Sequence, residues 1–432
     1  MISRNGRTRL LVLGIDGVPY RLVRDEAAAG TMPNLGELIR CGVFKPMSSS
    51  VPEISCVSWS SIITGENPGV HGIYGFTDVM PQGYGIRFPN FASLAAKPFW
   101  ERQEDRRSVI LNVPSTYPAR PMNGIHVSGF VAPKLAKSVH PASLLATLEE
   151  LDYRIDVDSQ KGHESIPLFL EDLDRTLEAR VALADVLWKS DDWDTFMLVF
   201  TGTDRLGHFL WAAYEDEEHP HHPDVLDHFR RVDRAIGRFV DRLGEDAPVV
   251  VLSDHGFERL EANVYVNRVL QEHGLLKLDD GRRGLAGIGN GSAAFALDPG
   301  RLYVHAASRF PRGSVAAREK EAVIEDLIEL FTNLSVQGRR AIRSIHRRDE
   351  LYAGPAVDRA PDVVLVGERG VNLKASFNTS SDGAEEPFTG KHSQPDAFLL
   401  VRSANGVVVP EKPSVVDVVD VLSSALRGGQ SS

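Results

Sequence analysis

Short runs of apolar residues recur along the chain, separated by polar and helix-forming segments. Six of these runs span residues 9–16, 107–114, 194–202, 247–256, 360–367 and 396–403. Continuous apolar runs of this length are typical of buried strands covered on both faces, as in a parallel sheet. Between several of them lie stretches with helical patterns, among them Pro33 to Cys41, Leu168 to Lys189 and Asp224 to Leu243. The alternation predicts a doubly wound α/β fold, with a mostly parallel sheet flanked by helices.

The pattern loosens after residue 257, and the chain is long enough, at 432 residues, for one large domain with an insertion. We therefore predict an α/β core from residues 1–257 and 388–432, with residues 258–387 forming a cap or insertion. A clear helix is expected in this cap from Val315 to Leu334. The short tail from Gly428 to Ser432 looks flexible and carries no recognisable chemistry.

Composition narrows the class of protein. Hydrophobic residues make up 42% and charged residues 25% of the chain, as in ordinary soluble globular proteins. The net charge of -11 disfavours general nucleic-acid binding. The apolar run Leu10 to Leu13 is too short for a signal peptide core or a membrane span, and the two cysteines, Cys41 and Cys56, suggest no disulfide framework. A cytoplasmic location with reduced thiols is the expectation.

Polar residues that end apolar runs are candidate binding residues, because ligands of open α/β sheets bind at the carboxyl ends of the strands. Six such residues carry metal-binding groups: Asp16, Asp204, His208, Asp254, His255 and His392. Three carboxylates and three imidazoles suit Zn²⁺ or Mn²⁺, with enough ligands for two ions. The four-residue spacing of Asp204 and His208 lets both side chains share one face of a helix.

Each residue also has a simpler explanation. Asp16, which precedes a glycine, could be a turn residue, Asp204 could cap a helix, and His392 could be a solvated loop histidine. A second histidine cluster, His219, His221 and His222, fits a solvated loop better than a metal site. The metal hypothesis therefore depends on all six ligand-type residues falling together.

The segment from Pro52 to Phe76 is rich in hydroxyl groups beside an apolar, helix-like run that ends at Gly65. A hydroxyl next to a divalent ion ionises more easily and becomes a strong nucleophile. The residues alone leave four candidates, one of which simple helix capping could explain: Ser55, Ser58, Ser60 and Ser61.

The order of motifs resembles the alkaline phosphatase superfamily, in its type I phosphodiesterase and nucleotide pyrophosphatase branch. The resemblance runs through most of the chain and is carried by GIDG, MPNLGELIRCG, the segment from Ser55 to Gly65 with NPGVHGIYGF after it, TDRLGHFLW, SDHGF, GKH and PSVVDVVDVL. It implies an alkaline-phosphatase-like fold, with Ser55 as nucleophile ten residues before the glycine of the family's Thr-Gly pair. It also implies one metal ion on Asp204, His208 and His392, and another on Asp16, Asp254, His255 and Ser55.

The mechanism that this resemblance implies is in-line attack of Ser55 on phosphorus, followed by hydrolysis of a phosphoseryl-type intermediate. The substrate would be a small-molecule phosphate ester: a phosphodiester or a nucleotide pyrophosphate. The same site leaves open a phosphomonoesterase or a phosphoglycerate-mutase-like phosphotransferase. A metal-free binding protein on a retired enzyme fold is a further alternative, disfavoured because every ligand position is filled.

Two departures from the family pattern bear on the substrate. Ser55 is followed by Cys56 and Val57, and Ser58 stands where nucleotide pyrophosphatases have a phosphate-binding asparagine, so we expect Ser58 to bind substrate only weakly. Thr201 to Thr203 replace the acidic residue and proline that usually precede the aspartate ligand. Cys56 suggests a sulfatase, but those relatives need an arginine four residues later, where this chain has Ser60.

Overall fold

The protein is described here by a computed structural model. Its described residues are 7–80, 83–190, 192–279, 281–282, 284–377, 387–404 and 406–427, so the tail from Gly428 to Ser432 lies outside them. The chain divides into two compact units: residues 1–66, 90–257 and 387–432 form the first, and residues 67–89 and 258–386 form the second.

The strands, in chain order, are β1 (Leu10–Ile15), β2 (Val43–Met47), β3 (Asp78–Val79), β4 (Ile86–Arg87), β5 (Ser108–Val113), β6 (Gly124–Ser128), β7 (Val139–His140), β8 (Thr195–Phe200), β9 (Val249–Leu252), β10 (Gly256–Arg259), β11 (Ala262–Tyr265), β12 (Ala294–Leu297), β13 (Arg301–Val304), β14 (Ser335–Val336), β15 (Arg339–Arg340), β16 (Ile342–Arg347), β17 (Val363–Gly367), β18 (Val371–Lys374), β19 (Gly390–Ser393) and β20 (Ala397–Arg402).

The α-helices, in chain order, are α1 (Tyr20–Ala29), α2 (Pro33–Cys41), α3 (Ser55–Thr64), α4 (Pro68–His71), α5 (Phe99–Arg102), α6 (Leu145–Glu150), α7 (Gln160–Glu164), α8 (Ile166–Ser190), α9 (Gly202–Glu215), α10 (His222–Leu243), α11 (Val266–Glu272), α12 (Lys320–Thr332), α13 (Arg348–Leu351) and α14 (Val418–Arg427).

The first unit is built on an eight-stranded sheet in the order β2-β20-β9-β1-β8-β5-β6-β7. The central strands β9, β1, β8, β5 and β6 run parallel, and every residue of β1, β5 and β8 is buried. Strands covered on both faces need apolar side chains at every position, which explains the unbroken apolar runs. The predicted α/β fold with a mostly parallel sheet is confirmed.

Two of the six apolar runs differ from the prediction of parallel strands. β20 pairs antiparallel with both β9 and β2, and β17 belongs to an antiparallel sheet of the second unit. A continuous apolar run indicates that both faces of the strand are covered, but it does not indicate the direction of the strand.

Helix α10 of the first unit buries one apolar face. On α10 the buried side chains recur every three or four residues, at Val225, Phe229, Val232, Ile236 and Phe239, which puts them on one stripe. This stripe joins the same hydrophobic core as β1 and β8. Burying each of these side chains stabilises the fold by roughly 1.5 to 3 kcal/mol.

The second unit has its own core, formed by the sheet β12-β13-β17-β16 with apolar residues of α12 such as Leu327 and Phe331. The helix expected from Val315 begins later, at Lys320, because Val315 bridges to Ala306 as extended backbone. The structure also assigns residues 67–89 to this unit, ahead of the predicted insertion. That the second unit acts as a cap stays a prediction.

In the described part of the chain, no helix combines the length and the apolar character needed to cross a bilayer.

Candidate active site

The site lies where neighbouring strands of the first unit end. β9, β1 and β8 are adjacent and parallel, so their carboxyl ends meet at one edge of the sheet. Asp16 follows β1 directly, and Asp204 and His208 lie on α9, which begins two residues after β8 ends. Because α9 begins at Gly202 with Thr201 before it, Asp204 is not the capping residue of this helix.

Asp254 and His255 lie in the short break between β9 and β10. Adjacent residues of a regular strand point to opposite faces, so this break is what lets both side chains turn to the same centre. β19, which pairs with β10, carries His392. All six ligand-type residues predicted from the sequence are thus brought to one edge of the first unit.

The side chains form two groups. In the first, Asp204 Oδ1 lies 3.0 Å from Nε2 of His392 and 3.6 Å from Nε2 of His208, and the two Nε2 atoms are 3.1 Å apart. We call Asp204, His208 and His392 the first group.

The second group consists of Asp16, Asp254 and His255. His255 Nε2 lies 3.3 Å from Asp254 Oδ2 and 3.7 Å from Asp16 Oδ1. The same nitrogen is 3.9 Å from Asp204 Oδ1, and the rings of His255 and His392 stack with centroids 3.7 Å apart. The two groups are therefore contiguous.

All three imidazoles are oriented in the same way. Nδ1 bonds a backbone carbonyl in each: Gly256 for His255 at 3.1 Å, Gly390 for His208 at 3.3 Å, and Glu53 for His392 at 3.0 Å. A carbonyl oxygen only accepts, so we assign a proton to Nδ1 of each imidazole, which leaves each Nε2 facing the shared centre. Histidines that bind metal are oriented by this kind of bond.

The three carboxylates are also oriented by hydrogen bonds. One oxygen of each is held by a donor: Asp16 Oδ2 by the Trp59 indole at 3.0 Å, Asp254 Oδ1 by the Gly17 amide at 3.1 Å, and Asp204 Oδ2 by Arg205 at 3.1 Å. Asp16 Oδ1 and Asp254 Oδ2 are buried and have no hydrogen-bond partner among the described residues. A buried, unsatisfied carboxylate oxygen is costly unless a proton or a cation balances it.

The electrostatics of this cluster are unbalanced without such a cation. Burial, with the charges of Asp254 and Asp204, raises the pKa of Asp16 well above its usual value, and burial raises the pKa of Asp254 to about 7. Burial also lowers the pKa of His208 to about 4 and holds that of His255 well below its usual value. Against the effect of burial, the hydrogen bond and the negative charge of Asp204 raise the pKa of His392. A cluster of imidazole nitrogens and carboxylate oxygens, two of them unpartnered, fits divalent metal ions with mixed nitrogen and oxygen ligands.

Ser55 is the first residue of α3, and its hydroxyl is buried against the second group, with Oγ 3.0 Å from His255 Nε2. Since His255 Nε2 carries the lone pair, the Ser55 hydroxyl donates to it. The amino end of α3 also favours negative charge beside Ser55 through the helix dipole. The residue before the helix is Ile54, which makes no side-chain cap, so none of the nearby serines is explained by helix capping.

Ser58 and Ser60 have other partners. The Ser58 hydroxyl lies 2.9 Å from that of Ser49 and 2.8 Å from that of Ser50, and the Ser60 hydroxyl donates to the Cys56 carbonyl. Ser49 in turn donates to the Asp254 carbonyl. Ser58 is thus part of a buried hydroxyl cluster under the second group, and its contact with substrate stays a prediction.

Sequence reasoning did not single out Trp59, Gly17 or Arg205, which hold the outer oxygens of the three carboxylates. Gly17 has φ of 70°, a conformation that glycine adopts without strain. A signal was available for Arg205, which stands inside the TDRLGH motif. The other histidine cluster is bonded locally, with His221 Nδ1 2.9 Å from Asp224 Oδ2 and His222 Nδ1 2.8 Å from the Ala213 carbonyl.

A family model described as type I phosphodiesterase / nucleotide pyrophosphatase matches residues 10–394, and the chain belongs to this family. The members of this family are hydrolases of phosphoric esters. The resemblance inferred from the sequence motifs is confirmed.

Solved structures support the fold. That of phosphonoacetate hydrolase from Sinorhizobium meliloti 1021 in complex with phosphonoformate has a TM-score of 0.65 at 16% identity, covering 98% of each chain. That of murine ectonucleotide pyrophosphatase / phosphodiesterase 5 has a TM-score of 0.57 at 13% identity, covering 97% of this chain and 95% of that chain. Both confirm the alkaline-phosphatase-like architecture.

One curated relative is the catalytic subunit of GPI ethanolamine phosphate transferase 3 from Homo sapiens. It is 34% identical over 67 residues, which are 16% of this chain and 5% of that protein. The match therefore covers a small part of the human protein.

Proposed function

We propose that the chain hydrolyses a phosphodiester or nucleotide pyrophosphate bond with Ser55 as nucleophile and two divalent ions. The preferred ion is Zn²⁺, and Mn²⁺ is the alternative. The observation that carries the proposal is that the Ser55 hydroxyl contacts His255 of the second group, in which Asp16 and Asp254 each have an unpartnered, buried carboxylate oxygen. The first group is contiguous with the second through His255 and His392. Asp204, His208 and His392 would hold one ion, and Asp16, Asp254, His255 and Ser55 the other. When bound, such ions stabilise negative charge on the phosphoryl oxygens and favour ionisation of the serine hydroxyl.

The role of Ser55 follows from its surroundings. Its Oγ attacks phosphorus as the bond from phosphorus to the leaving oxygen breaks. The hydroxyl proton passes from Oγ to water, and the leaving oxygen takes up a proton from water. The amino end of α3 stabilises the negative charge that develops beside it. Water then cleaves the bond between Oγ and phosphorus, which releases the phosphate product and restores the hydroxyl.

The carboxylates and imidazoles are held in advance of this reaction. Trp59, the Gly17 amide and Arg205 hold one oxygen of each aspartate, and three carbonyls hold the imidazoles. Because these donors and acceptors are already paired, little reorganisation is needed as charge develops. Preorganisation of this kind supports a catalytic role over a purely structural one.

The names of the structural neighbours bear on the substrate. One solved structure of the murine enzyme is an inactive threonine-to-alanine variant in complex with AMP, and another neighbour is a phosphonoacetate hydrolase. These names support a small phosphorylated or phosphonate substrate here. A phosphomonoesterase remains the alternative, and a cytoplasmic location stays a prediction.

Paired rate measurements on metal-loaded protein test this choice. We expect bis-(4-nitrophenyl) phosphate to be hydrolysed with a higher kcat/KM than 4-nitrophenyl phosphate, and Ser55→Ala to abolish both activities. A clear preference for the monoester would reverse the assignment. Turnover of neither ester, nor of nucleotide pyrophosphates, would count against the hydrolase itself.

A further inference from the structure

Arg205 lies directly behind one of the proposed metal ligands. Its Nη1 is 3.1 Å from Asp204 Oδ2, while its Nη2 and Nε are 2.7 and 3.2 Å from Asp156 Oδ2. The guanidinium therefore bridges two carboxylates, one that belongs to the first group and one outside it. The proposed mechanism uses the contact of Arg205 with Asp204, but neither it nor the sequence motifs assign a role to Asp156 or to the bridge as a whole.

The bridge is held on its remaining side by an aromatic ring. The guanidinium carbon of Arg205 lies 4.6 Å from the centroid of the Phe130 ring. Both Arg205 and Asp156 are about one-fifth exposed, with side-chain exposures of 22% and 21%, whereas Asp204 is 2% exposed. A planar guanidinium fixed at its face and at two edges has little freedom to turn.

This arrangement determines which oxygen of Asp204 faces the two histidines of the first group. Oδ2 is held by Arg205, so Oδ1 is directed at His392 and His208. Without a donor on Oδ2, the buried carboxylate would be stabilised by rotating toward another partner, because an unsatisfied buried oxygen is destabilising.

We infer that Arg205, anchored by Asp156, is a positioning residue. It directs Oδ1 of Asp204 toward His208 and His392 and thereby sets the affinity of the first group for a divalent ion. The second group does not include Asp204 and should keep its affinity. This inference rests on the proposed function, since it requires that the two groups bind metal.

If Arg205 acted through its charge alone, its removal would have the opposite effect on the affinity for metal. The positive charge of Arg205 repels a nearby cation, so removing it would raise the affinity for metal. Two charge-conserving variants separate the explanations: Arg205→Lys keeps the charge but loses the planar fork, and Asp156→Glu keeps the charge but shifts the anchor by one methylene. Arg205→Gln removes the charge and keeps one amide NH₂ group as donor.

The experiment titrates the full-length, metal-stripped protein with Zn²⁺ in competition with a chromophoric chelator. Asp204→Asn and Asp254→Asn assign the two binding steps to the first and second group. We expect Arg205→Lys to lower the affinity of the first group by about 10- to 100-fold, the usual range for groups that orient a metal ligand. The second group should change by less than about threefold, and Asp156→Glu should show the same selectivity.

Arg242→Gln is the matched control, because Arg242 also pairs with an aspartate, Asp185, and lies 5.8 Å from the centroid of the Phe239 ring, on α10. It should leave both affinities unchanged. Circular dichroism checks folding, and if Arg205→Lys does not fold, the selectivity of Asp156→Glu decides.

The outcomes separate this inference from the proposed function. If the wild-type protein binds two Zn²⁺ and Arg205→Lys leaves both affinities unchanged, or lowers both equally, the positioning role is overturned and the function stands. A rise in affinity for Arg205→Gln with no change for Arg205→Lys would identify a charge effect and also overturn it. If the wild-type protein binds no Zn²⁺, both ideas fail.

Discussion

The Oγ atom of Ser55 lies 3.0 Å from Nε2 of His255, and the Nδ1 atom of that imidazole is bonded to the carbonyl of Gly256. The hydroxyl of Ser55 is therefore directed at the second group, and Ser58 and Ser60 point elsewhere. This contact connects the proposed nucleophile to the proposed metal ligands. It supports the choice of Ser55, which lies ten residues before Gly65 as the family pattern requires.

Substitution of the serines should separate their roles. We expect Ser55→Ala to reduce kcat by on the order of a thousandfold or more, because it removes the attacking oxygen. Ser55→Thr should retain part of the activity, since it offers the same oxygen with one extra methyl group. Steady-state kinetics on metal-loaded protein give the comparison.

Ser58→Ala is the matched control, since Ser58 lies one helical turn further along α3. We expect a modest loss, because a neutral hydroxyl hydrogen bond contributes roughly 0.5 to 1.5 kcal/mol. Near-normal turnover in Ser55→Ala, together with loss of activity in Ser58→Ala, would show that the register is wrong by three residues.

Removal of metal should abolish turnover and weaken the fold locally. The first and second groups bring three carboxylates and three imidazoles into contact, and stripping the ions leaves buried oxygens without a partner. We expect about two divalent ions per chain by elemental analysis and recovery of activity on adding Zn²⁺ or Mn²⁺. Full activity in thoroughly stripped protein would refute the metal requirement.

Acid stability should depend on His126, which is remote in sequence from the proposed ligands. It is fully buried on β6, neither ring nitrogen has a hydrogen-bond partner among the described residues, and burial lowers its pKa to about 3. The unfolded chain takes up a proton near pH 6.5, whereas the folded chain does so only near pH 3. Stability is therefore lost as the pH falls through this window.

His126→Leu should remove this contribution. Relative to pH 7.5, the wild-type protein should lose about 2 kcal/mol more unfolding free energy at pH 5 than the variant does, because each pH unit below 6.5 corresponds to about 1.4 kcal/mol. Urea denaturation at the two pH values measures this difference, with the exposed substitution His273→Gln as control. Equal losses in wild type and His126→Leu would contradict the assignment.

The sequence predicted the sheet and the residues at its edge because both depend on local patterns. Apolar runs mark β1, β5, β8 and β9, and polar residues at the ends of such strands must meet at one edge. Strand direction could not be predicted in this way, so β20 and β17 were wrongly expected to be parallel. Direction depends on how distant segments connect, and no local pattern records it.

The partners of the proposed ligands were also beyond sequence reasoning. Trp59 holds Asp16 across 43 positions of the sequence, and Asp156 reaches Arg205 across 49 positions. Such contacts exist only once the chain has folded. The motifs supplied the ligand-type residues, whereas the orientation of their free oxygens and lone pairs required the structure, and metal binding itself stays a prediction.

The most direct test of the account is to trap the covalent intermediate on Ser55. Metal-loaded protein would be mixed with a phosphodiester substrate, quenched in acid within the first turnover, digested and analysed by mass spectrometry, with Ser55→Ala as control. The account predicts a substrate-derived phosphoryl group on Ser55 in the wild-type protein and none in Ser55→Ala. A phosphoryl group on a different residue, or unmodified Ser55 in protein that turns over normally at every quench time, would contradict it.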